Sequence, residues 1–277
     1  MTPIGAPFHR GGSGTPLVIY HGFTGSWRVW KHLFPDLEDE HDVFAPSLLG
    51  HAGGTTPEPG DEISIRTIAD DAERQLDAQG IDQAHLAGNS LGGWLSLELG
   101  RRGRALSVTA LSPAGGWNGR RELDRIVRLI RNSAAQAHRA PGISDRLMKQ
   151  AWARRVGLRA VAERGDRVSY DDALNLLDDA RACVIIDAFL DWVVADRPLP
   201  PREVDADYPI TIGWADRDRM LPFGRYGRPL LENIGPVELV RLPGVGHVPM
   251  LDDPALVAHT ILTTTRRVDE KRKANVT

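Results

Sequence analysis

Apolar residues along the chain follow two patterns, short apolar-rich runs and longer amphipathic stretches. The short runs predict strands at 17–20, 84–87, 106–111, 210–214 and 237–242, and the strands at 84–87 and 210–214 are expected to be buried. The clearest early helix is predicted over Ile63–Gln79, where apolar residues recur at helical spacing and Gly80 follows as a stop. Strand and helix patterns alternate through about the first 115 residues. This alternation favours right-handed βαβ units and a mostly parallel sheet.

The pattern changes between about Gly119 and Asp196, where only helical segments are evident. We therefore predict a core formed by 1–116 and 206–268, with a helical insertion at 117–205. Pro198–Pro201 is typical of a stiff linker. The charged end of the chain, 269–277, is predicted to be a flexible tail.

Composition narrows the class of protein. A chain of 277 residues is long enough for one large core with an inserted subdomain. The net charge of −3 argues against nucleic acid as a main partner. Met1–Gly14 lacks the apolar core of a signal peptide, and no stretch approaches the roughly 20 apolar residues of a membrane span. We expect a cytoplasmic protein with no membrane partner. Cys183 is the only cysteine, so an internal disulfide is excluded.

The segment Gly88–Gly93 places Ser90 between glycines, directly after a predicted strand and before a predicted helix. Such a turn is the signature of a nucleophile elbow, which holds a serine hydroxyl out over the edge of a sheet. The sharp turn needs nearly bare neighbours two residues before and after the serine, and here these are Gly88 and Gly92.

An earlier strand ends in His21-Gly22-Phe23-Thr24-Gly25-Ser26. A hydrolytic serine needs two amides that bind the oxyanion of the tetrahedral intermediate. The residue after the nucleophile, Leu91, and the loop after an earlier strand usually supply them. We therefore predict an oxyanion hole formed by the amides of Phe23 and Leu91.

The acid and the histidine of a triad follow in the required chain order. The strand at 210–214 leads into a loop with two aspartates, Asp216 and Asp218, which compete for one role. The strand at 237–242 leads into a glycine-flanked histidine, His247.

Together these motifs resemble the α/β-hydrolase superfamily, and the resemblance extends to about Arg267. It implies an α/β fold with a doubly wound, mostly parallel sheet and an inserted helical cap. It also implies Ser90 as nucleophile, His247 as base and Asp218 as its partner, because the family's acid precedes a proline by four positions, here Pro222. One departure is Ser47–Gly54, where many relatives carry an acid, a further glycine and a serine. Only sixteen residues precede the first clear strand, so the family's opening antiparallel strands are expected to be shortened.

The expected reaction is hydrolysis of a carboxylic ester, lactone or thioester through an acyl-enzyme, without a cofactor. Two alternatives on the same fold are a carbon-carbon bond hydrolase and a lyase like the menaquinone-pathway synthase. A third alternative is a ligand receptor that does not turn over its ligand. The partner is expected to be a small molecule, and nothing in the sequence supports an acyl-carrier protein.

The first half of the insertion is basic. Between Trp117 and Tyr170 thirteen basic residues stand against five acidic ones. Arg121, Arg125 and Arg128 follow helical spacing and form a stripe. The stripe is either a solvated helix face or a guide for an anionic substrate. The histidines outside the predicted triad show no metal-ligand spacing, so we expect no metal.

Overall fold

The computed structural model of the chain describes residues 6–139, 141–196 and 206–276. Its strands are β1 (Phe8–Gly12), β2 (Thr15–Tyr20), β3 (His41–Pro46), β4 (Ala84–Asn89), β5 (Ala105–Leu111), β6 (Ile210–Ala215) and β7 (Glu238–Leu242). Its helices are α1 (Phe34–Glu38), α2 (Ile65–Ala78), α3 (Leu91–Arg101), α4 (Arg120–His138), α5 (Pro141–Leu147), α6 (Ala151–Gly157), α7 (Tyr170–Ala182), α8 (Ile186–Asp196), α9 (Phe223–Ile234) and α10 (Pro254–Val276).

The seven strands form one sheet in the order β1-β3-β2-β4-β5-β6-β7. All neighbours are parallel except β1, which pairs antiparallel with β3. The chain is thus an α/β protein with a mostly parallel sheet, as predicted. A single short antiparallel strand precedes β2 in the described part of the chain. Because the strands are parallel, the loops after β2, β4, β6 and β7 all leave the same edge of the sheet.

Both faces of the sheet are covered, because successive side chains of a strand point to opposite sides. Val18 and Tyr20 of β2 pack with residues of α2, α3 and α9. Leu17 and Ile19 pack on the other face with residues of α1 and α10. Continuous apolar runs such as 17–20 are therefore the expected signature of a sheet buried on both faces.

Helix α2 shows how the sequence sets an element boundary. The predicted helix at Ile63–Gln79 begins two residues later and ends one residue earlier in the structure. Ser64 is the N-cap, and its side chain accepts from the Thr67 amide while the Thr67 hydroxyl accepts from the Ser64 amide. This reciprocal capping fixes the start of the helix.

The insertion is helical in its described residues, 117–139 and 141–196, with α4–α8 and one short 3₁₀ turn. The Pro198–Pro201 linker lies outside the described residues. None of the helices in the described ranges is long and apolar enough to cross a bilayer.

The end of the chain differs from the prediction of a flexible tail at 269–277. Helix α10 continues through to Val276. The carboxylate of Asp269 accepts hydrogen bonds from the Thr15 hydroxyl and from Nε2 of the buried His85, both at 3.2 Å. The charged composition suggested fraying, whereas these contacts with the start of β2 and with β4 hold the helix to the core.

Candidate active site

Ser90 lies between the end of β4 and the start of α3 with a φ of 56° and a ψ of −112°. A positive φ is uncommon for a residue other than glycine and costs free energy unless its surroundings impose it. Here the Ser90 amide donates to the Leu111 carbonyl at 2.9 Å, and the Ser90 carbonyl accepts from Trp94 and Ala114. The structure thus holds the serine in the strained turn that the glycine pattern predicts.

The two flanking glycines have no room for side chains. A Cβ atom at Gly88 would lie 2.2 Å from the Gly92 carbonyl oxygen, and one at Gly92 would lie 2.1 Å from the Tyr20 carbonyl oxygen. Both contacts are with backbone, which cannot rotate away. The bare neighbours of Ser90 are therefore required by the close approach of β4, α3 and the end of β2.

Asp218 and His247 form a buried pair across the loops after β6 and β7. Nδ1 of His247 lies 2.7 Å from Oδ2 of Asp218, and the other carboxylate oxygen accepts the Leu221 amide at 2.7 Å. The His247 residue is 3% exposed. Since the carboxylate accepts at Nδ1, the neutral imidazole carries its proton there and leaves Nε2 as an acceptor.

Asp216, the other candidate acid, points elsewhere. Its carboxylate accepts from Nε of Arg241 at 2.7 Å at the protein surface. The structure therefore separates two aspartates that the residues alone left in competition. Asp218 is the one placed against His247.

The histidine loop is tied to the elbow next to Ser90. The side-chain amide of Asn89 donates to the His247 carbonyl at 2.9 Å and to the Leu111 carbonyl at 3.1 Å. Ser90 and His247 line the same cavity. Among the described residues, the His247 ring is bonded through Nδ1 to Asp218, and no hydrogen bond joins it to the Ser90 side chain.

The two predicted oxyanion amides lie in different elements: that of Phe23 in the loop at 21–26 after β2, which we call the oxyanion loop after its predicted role, and that of Leu91 at the start of α3. Within the described residues, the amides of Phe23 and Leu91 have no hydrogen-bond acceptor, and both residues line the cavity beside Ser90. His21 braces this loop: its Nδ1 donates to the Gly22 carbonyl at 2.8 Å, and its Nε2 accepts the Leu48 amide at 3.0 Å. This positioning contact was not predicted from the sequence, because the loop pattern does not show what the histidine touches.

Two histidines beside the loop are held neutral. Burial lowers the pKa of His21 to about 3 and that of His51 to about 4, and the neighbouring His51 adds to the lowering at His21. The His51 ring meets the Phe23 ring edge-on with a centroid separation of 5.4 Å. Its Nδ1 donates to the Leu49 carbonyl at 2.9 Å, while its buried Nε2 has no partner in the structure.

Acid is therefore expected to weaken the fold around the oxyanion loop. An unfolded histidine titrates near pH 6.5. Between about pH 6.5 and 4 the unfolded chain binds more protons than the folded one, so the free energy of unfolding falls as pH falls. His51→Leu removes one such group. The fall in the free energy of unfolding between pH 7 and pH 5 should therefore be about 1–2 kcal/mol smaller in this variant than in the unmodified chain. Urea unfolding at the two pH values measures these free energies.

A matched control is His259→Leu, since His259 lies exposed on α10. That variant should keep the pH dependence of the unmodified chain. An undiminished pH dependence in His51→Leu would contradict the assignment of His51 as a buried neutral histidine.

The cavity in front of Ser90 has a volume of about 220 Å³. Phe23, Trp94, Trp117 and Phe189 contribute aromatic surface to it, and the apolar side of α4 contributes aliphatic surface. Its few polar side chains are Thr24, Asn89, Ser90, Ser133 and His247. In the described part of the chain, no arginine, lysine, aspartate or glutamate lines it.

The predicted arginine stripe does not face this cavity. Arg121 and Arg128 are exposed. Arg125 turns toward the loop that carries Asp218, and its guanidinium donates to the carbonyls of Arg219 and Met220, each at 2.9 Å. Helical spacing showed that the three share a face but could not show what that face touches.

Side chains of types that can bind a metal lie close together at the edge of the sheet opposite the Ser90 cavity. Among the described residues, His41, His85 and Asp269 bring possible ligand atoms within 4.8 Å of one another. Both ring nitrogens of each histidine are engaged in hydrogen bonds, those of His41 with Thr15 and Thr265 and those of His85 with Ser107 and Asp269. The cluster is a satisfied buried network joining α10 to the sheet.

Comparison with known proteins decides the family. The model of a family described as the alpha/beta hydrolase family matches residues 17–260. The chain belongs to the alpha/beta hydrolase family. The chain is 33% identical over 204 residues to epoxide hydrolase EphH of Mycobacterium tuberculosis, an alignment covering 72% of this chain and 94% of the relative. With hydrolases as its relatives, this alpha/beta hydrolase is an enzyme of the hydrolase class.

Solved structures share the fold. The 2-hydroxy-6-oxo-6-phenylhexa-2,4-dienoate hydrolase of Rhodococcus sp. strain RHA1 aligns with a TM-score of 0.72 at 18% identity, covering 94% of each chain. A thermophilic esterase from Thermogutta terrifontis aligns with a TM-score of 0.68 at 19% identity, covering 94% of this chain and 93% of that one. At these identities the similarity shows the shared architecture of this alpha/beta hydrolase and nothing about its substrate.

The inserted helices of this alpha/beta hydrolase are fastened directly to the loops of the site. On one side Arg28 forms a buried ion pair with Asp179 of α7. Ser26 donates to the same carboxylate at 2.7 Å, and Arg28 also donates to Asn175 at 3.0 Å. Because Ser26 ends the oxyanion loop, α7 is anchored at the loop itself. A buried pair of this kind fixes geometry more than it adds stability.

A second fastening joins the insertion to the histidine loop. The carboxylate of Asp252 accepts the amides of Gly246 at 2.8 Å, Glu163 at 2.8 Å and Arg164 at 2.7 Å. The Val248 amide donates to the Val161 carbonyl at 2.8 Å. His247 is therefore flanked on both sides by contacts with the insertion. Asp252 was not predicted from the sequence, because its partners lie far from it along the chain, at Glu163 and Arg164.

Proposed function

We propose that this alpha/beta hydrolase cleaves neutral, apolar carboxylic esters, or related thioesters and lactones, through an acyl-enzyme on Ser90. The observation that carries the proposal is that the strained Ser90 lines one cavity with His247, whose ring is hydrogen-bonded to the buried Asp218. The apolar lining adds the preference for an uncharged acyl group.

In the first half of the proposed reaction, Nε2 of His247 accepts the Ser90 proton as the hydroxyl oxygen attacks the carbonyl carbon. Asp218 keeps the imidazole in the useful tautomer and stabilises its charged form. The oxyanion accepts hydrogen bonds from the amides of Phe23 and Leu91, each such donor being worth about 10²- to 10³-fold in rate. The carbon–oxygen bond to the alcohol then breaks, and the alcohol leaves with the proton from His247.

In the second half, His247 takes a proton from water, and the resulting hydroxide attacks the acyl carbon. The ester bond to Ser90 breaks, Ser90 recovers its proton from His247, and the carboxylic acid departs. The proposed steps use side chains and backbone amides of this chain together with water.

Epoxide opening, which EphH is named for, fits this site poorly. Attack of Ser90 on an epoxide carbon would form an ether, and an ether has no carbonyl carbon for water to attack. The epoxide oxygen would also need a proton donor. The described residues around the cavity include no tyrosine and no carboxylic acid. These two points favour the ester over the epoxide as substrate.

Carbon-carbon cleavage of a dienoate, which the Rhodococcus enzyme is named for, is disfavoured by charge. A dienoate carries a carboxylate, and burying an unpaired carboxylate in an apolar cavity is costly. The described lining offers it neither arginine nor lysine. The anionic substrate considered from the basic stripe is disfavoured for the same reason.

Activated esters graded by acyl length test the proposal. The cavity of about 220 Å³ limits the length of acyl chain that can be buried in it. We expect kcat/KM to rise with each methylene, by up to ~0.8 kcal/mol per group, until the chain fills the cavity, and then to fall. A matched ester with a terminal carboxylate on the acyl chain should react at least about tenfold more slowly than its neutral counterpart.

The opposite ranking, with the carboxylate ester favoured, would contradict the proposed substrate class. The absence of turnover with any ester, together with cleavage of an epoxide or a dienoate, would overturn the proposed reaction.

A further inference from the structure

The outer surface of α5 and α6 carries exposed apolar side chains. In the described part of the chain seven large hydrophobic residues are exposed, and four of them lie on these two consecutive helices of the insertion. They are Ile143, Leu147, Trp152 and Val156. Their exposed fractions are 64%, 43%, 63% and 69%. Clusters of this kind mark interaction sites, whereas single exposed hydrophobic residues do not.

Both helices present these residues as stripes, because each pair is spaced four residues apart. The inner side of α5 is held by Arg181, which donates to the Ser144 hydroxyl at 2.9 Å and to the Asp145 carboxylate at 2.7 Å. The inner side of α6 is held by the buried Ala153 and by Arg154, which donates to the Met148 carbonyl at 2.7 Å. The apolar stripes are therefore directed outward by contacts on the opposite side.

Cations surround the same stripes. Arg146 lies three residues from Ile143, and Arg159 lies three residues from Val156; both are exposed and make no ion pair with a described carboxylate. Lys149, between the helices, is exposed too. The acidic residues nearby are already paired, Asp145 with Arg181 and Asp166 with Arg155. We define the docking face as Ile143, Arg146, Leu147, Trp152, Val156 and Arg159.

We propose that the docking face binds the surface of an anionic lipid bilayer. Apolar side chains including a tryptophan, interspersed with arginine on short helices, are the composition of interfacial helices that lie in the plane of a membrane. The positive charge complements anionic headgroups, each cation near such a surface contributing favourably. This is peripheral binding, which the sequence-based expectation of no membrane partner, argued from spanning segments, did not address.

The docking face lies close to the substrate cavity, which suggests how membrane binding would serve the reaction. Gly157 and Leu158, at the end of α6, line the cavity in front of Ser90. Helix α6 therefore contributes to the docking face on its outer side, and its C-terminal end borders the substrate cavity. An apolar ester partitions into lipid, so docking would bring the cavity to its substrate; this last point rests on the proposed function, whereas the binding itself does not.

Vesicle flotation with the full chain tests the proposal without any need for turnover. The unmodified protein should bind vesicles of phosphatidylcholine with about one third phosphatidylglycerol at low salt, and much more weakly bind pure phosphatidylcholine. Trp152→Ser with Val156→Ser should weaken binding at least about tenfold. Arg146→Gln with Arg159→Gln should weaken it roughly 10- to 30-fold.

Two matched controls lie outside the docking face. Leu239→Ser changes an exposed hydrophobic residue on β7, and Arg121→Gln with Arg128→Gln removes two exposed cations from α4. Both should bind vesicles as the unmodified protein does. All variants should keep the thermal unfolding transition of the unmodified protein, which reports that the fold is intact.

Failure of the unmodified protein to bind anionic vesicles would overturn the proposal. Equal binding by the docking-face variants and the controls would overturn it as well. If sedimentation shows that Trp152→Ser with Val156→Ser abolishes a dimer instead, the face is an interface between copies of this chain. Selective capture of an acidic carrier protein by this face would assign it to a protein partner.

Discussion

Ser90→Ala is expected to lower kcat for an activated ester by at least about 10³-fold, because the variant removes the oxygen that attacks the carbonyl carbon. The fold should survive the change. The strained turn is held by the Ser90 amide and carbonyl, which bond Leu111, Trp94 and Ala114 and which alanine retains. Steady-state kinetics and a thermal melt of the same sample measure the two quantities together.

Ser133→Ala is the matched control, since Ser133 on α4 also lines the cavity. Its kcat should change by less than about threefold. A fluorophosphonate probe should add mass to the unmodified enzyme at Ser90 alone and should not label Ser90→Ala. Retention of more than about a tenth of kcat by Ser90→Ala, or labelling at a different serine, would remove Ser90 as the nucleophile.

Asp218→Asn should lower kcat by about 10³- to 10⁴-fold. The carboxylate of Asp218 accepts from Nδ1 of His247 at 2.7 Å and from the Leu221 amide at 2.7 Å. An asparagine can keep the Leu221 contact, but its amide nitrogen favours the histidine tautomer that has no acceptor at Nε2. The variant also withdraws the charge that stabilises the imidazolium, so its kcat should fall while KM changes little.

Asp216→Asn provides the comparison on the same loop. Asp216 is paired with Arg241 at the surface, and loss of an exposed pair costs about 0–1 kcal/mol of stability. Its kcat should stay within about threefold of the unmodified enzyme. A larger loss for Asp216→Asn than for Asp218→Asn would contradict the assignment of Asp218 as the acid that acts with His247.

The contacts of the insertion suggest why it belongs to the site. Asp179 reaches the end of the oxyanion loop through Ser26, Arg125 holds carbonyls next to the Asp218 loop, and Asp252 joins Gly246 to the insertion. The loops after β2, β6 and β7 are therefore each in contact with the insertion. We infer that the insertion fixes the geometry of these loops as well as covering the cavity.

The sequence by itself determined the elements whose causes are local. A turn as sharp as the one at Ser90 admits only glycine at 88 and 92, so the two glycines by themselves predict the turn. Strands buried on both faces, such as β2, need apolar runs. All five segments predicted as strands became strands of the sheet, although β7 at its edge is largely exposed. The chain order of serine, acid and histidine followed from the same reading, because each residue comes directly after its own strand.

Only the tertiary structure decided what distant residues touch. Asp216 and Asp218 are the same residue type in the same loop. The packing of the loop after β6 against β7 and the loop that follows it places Asp218 against His247 and Asp216 against Arg241. The residues 269–276 look like a charged tail, but contacts more than 180 residues away in sequence hold Asp269. Periodicity places Arg125 on a stripe with Arg121 and Arg128, and folding turns it onto the backbone carbonyls of Arg219 and Met220. Such contacts depend on how elements far apart in the chain pack, and no local pattern records them.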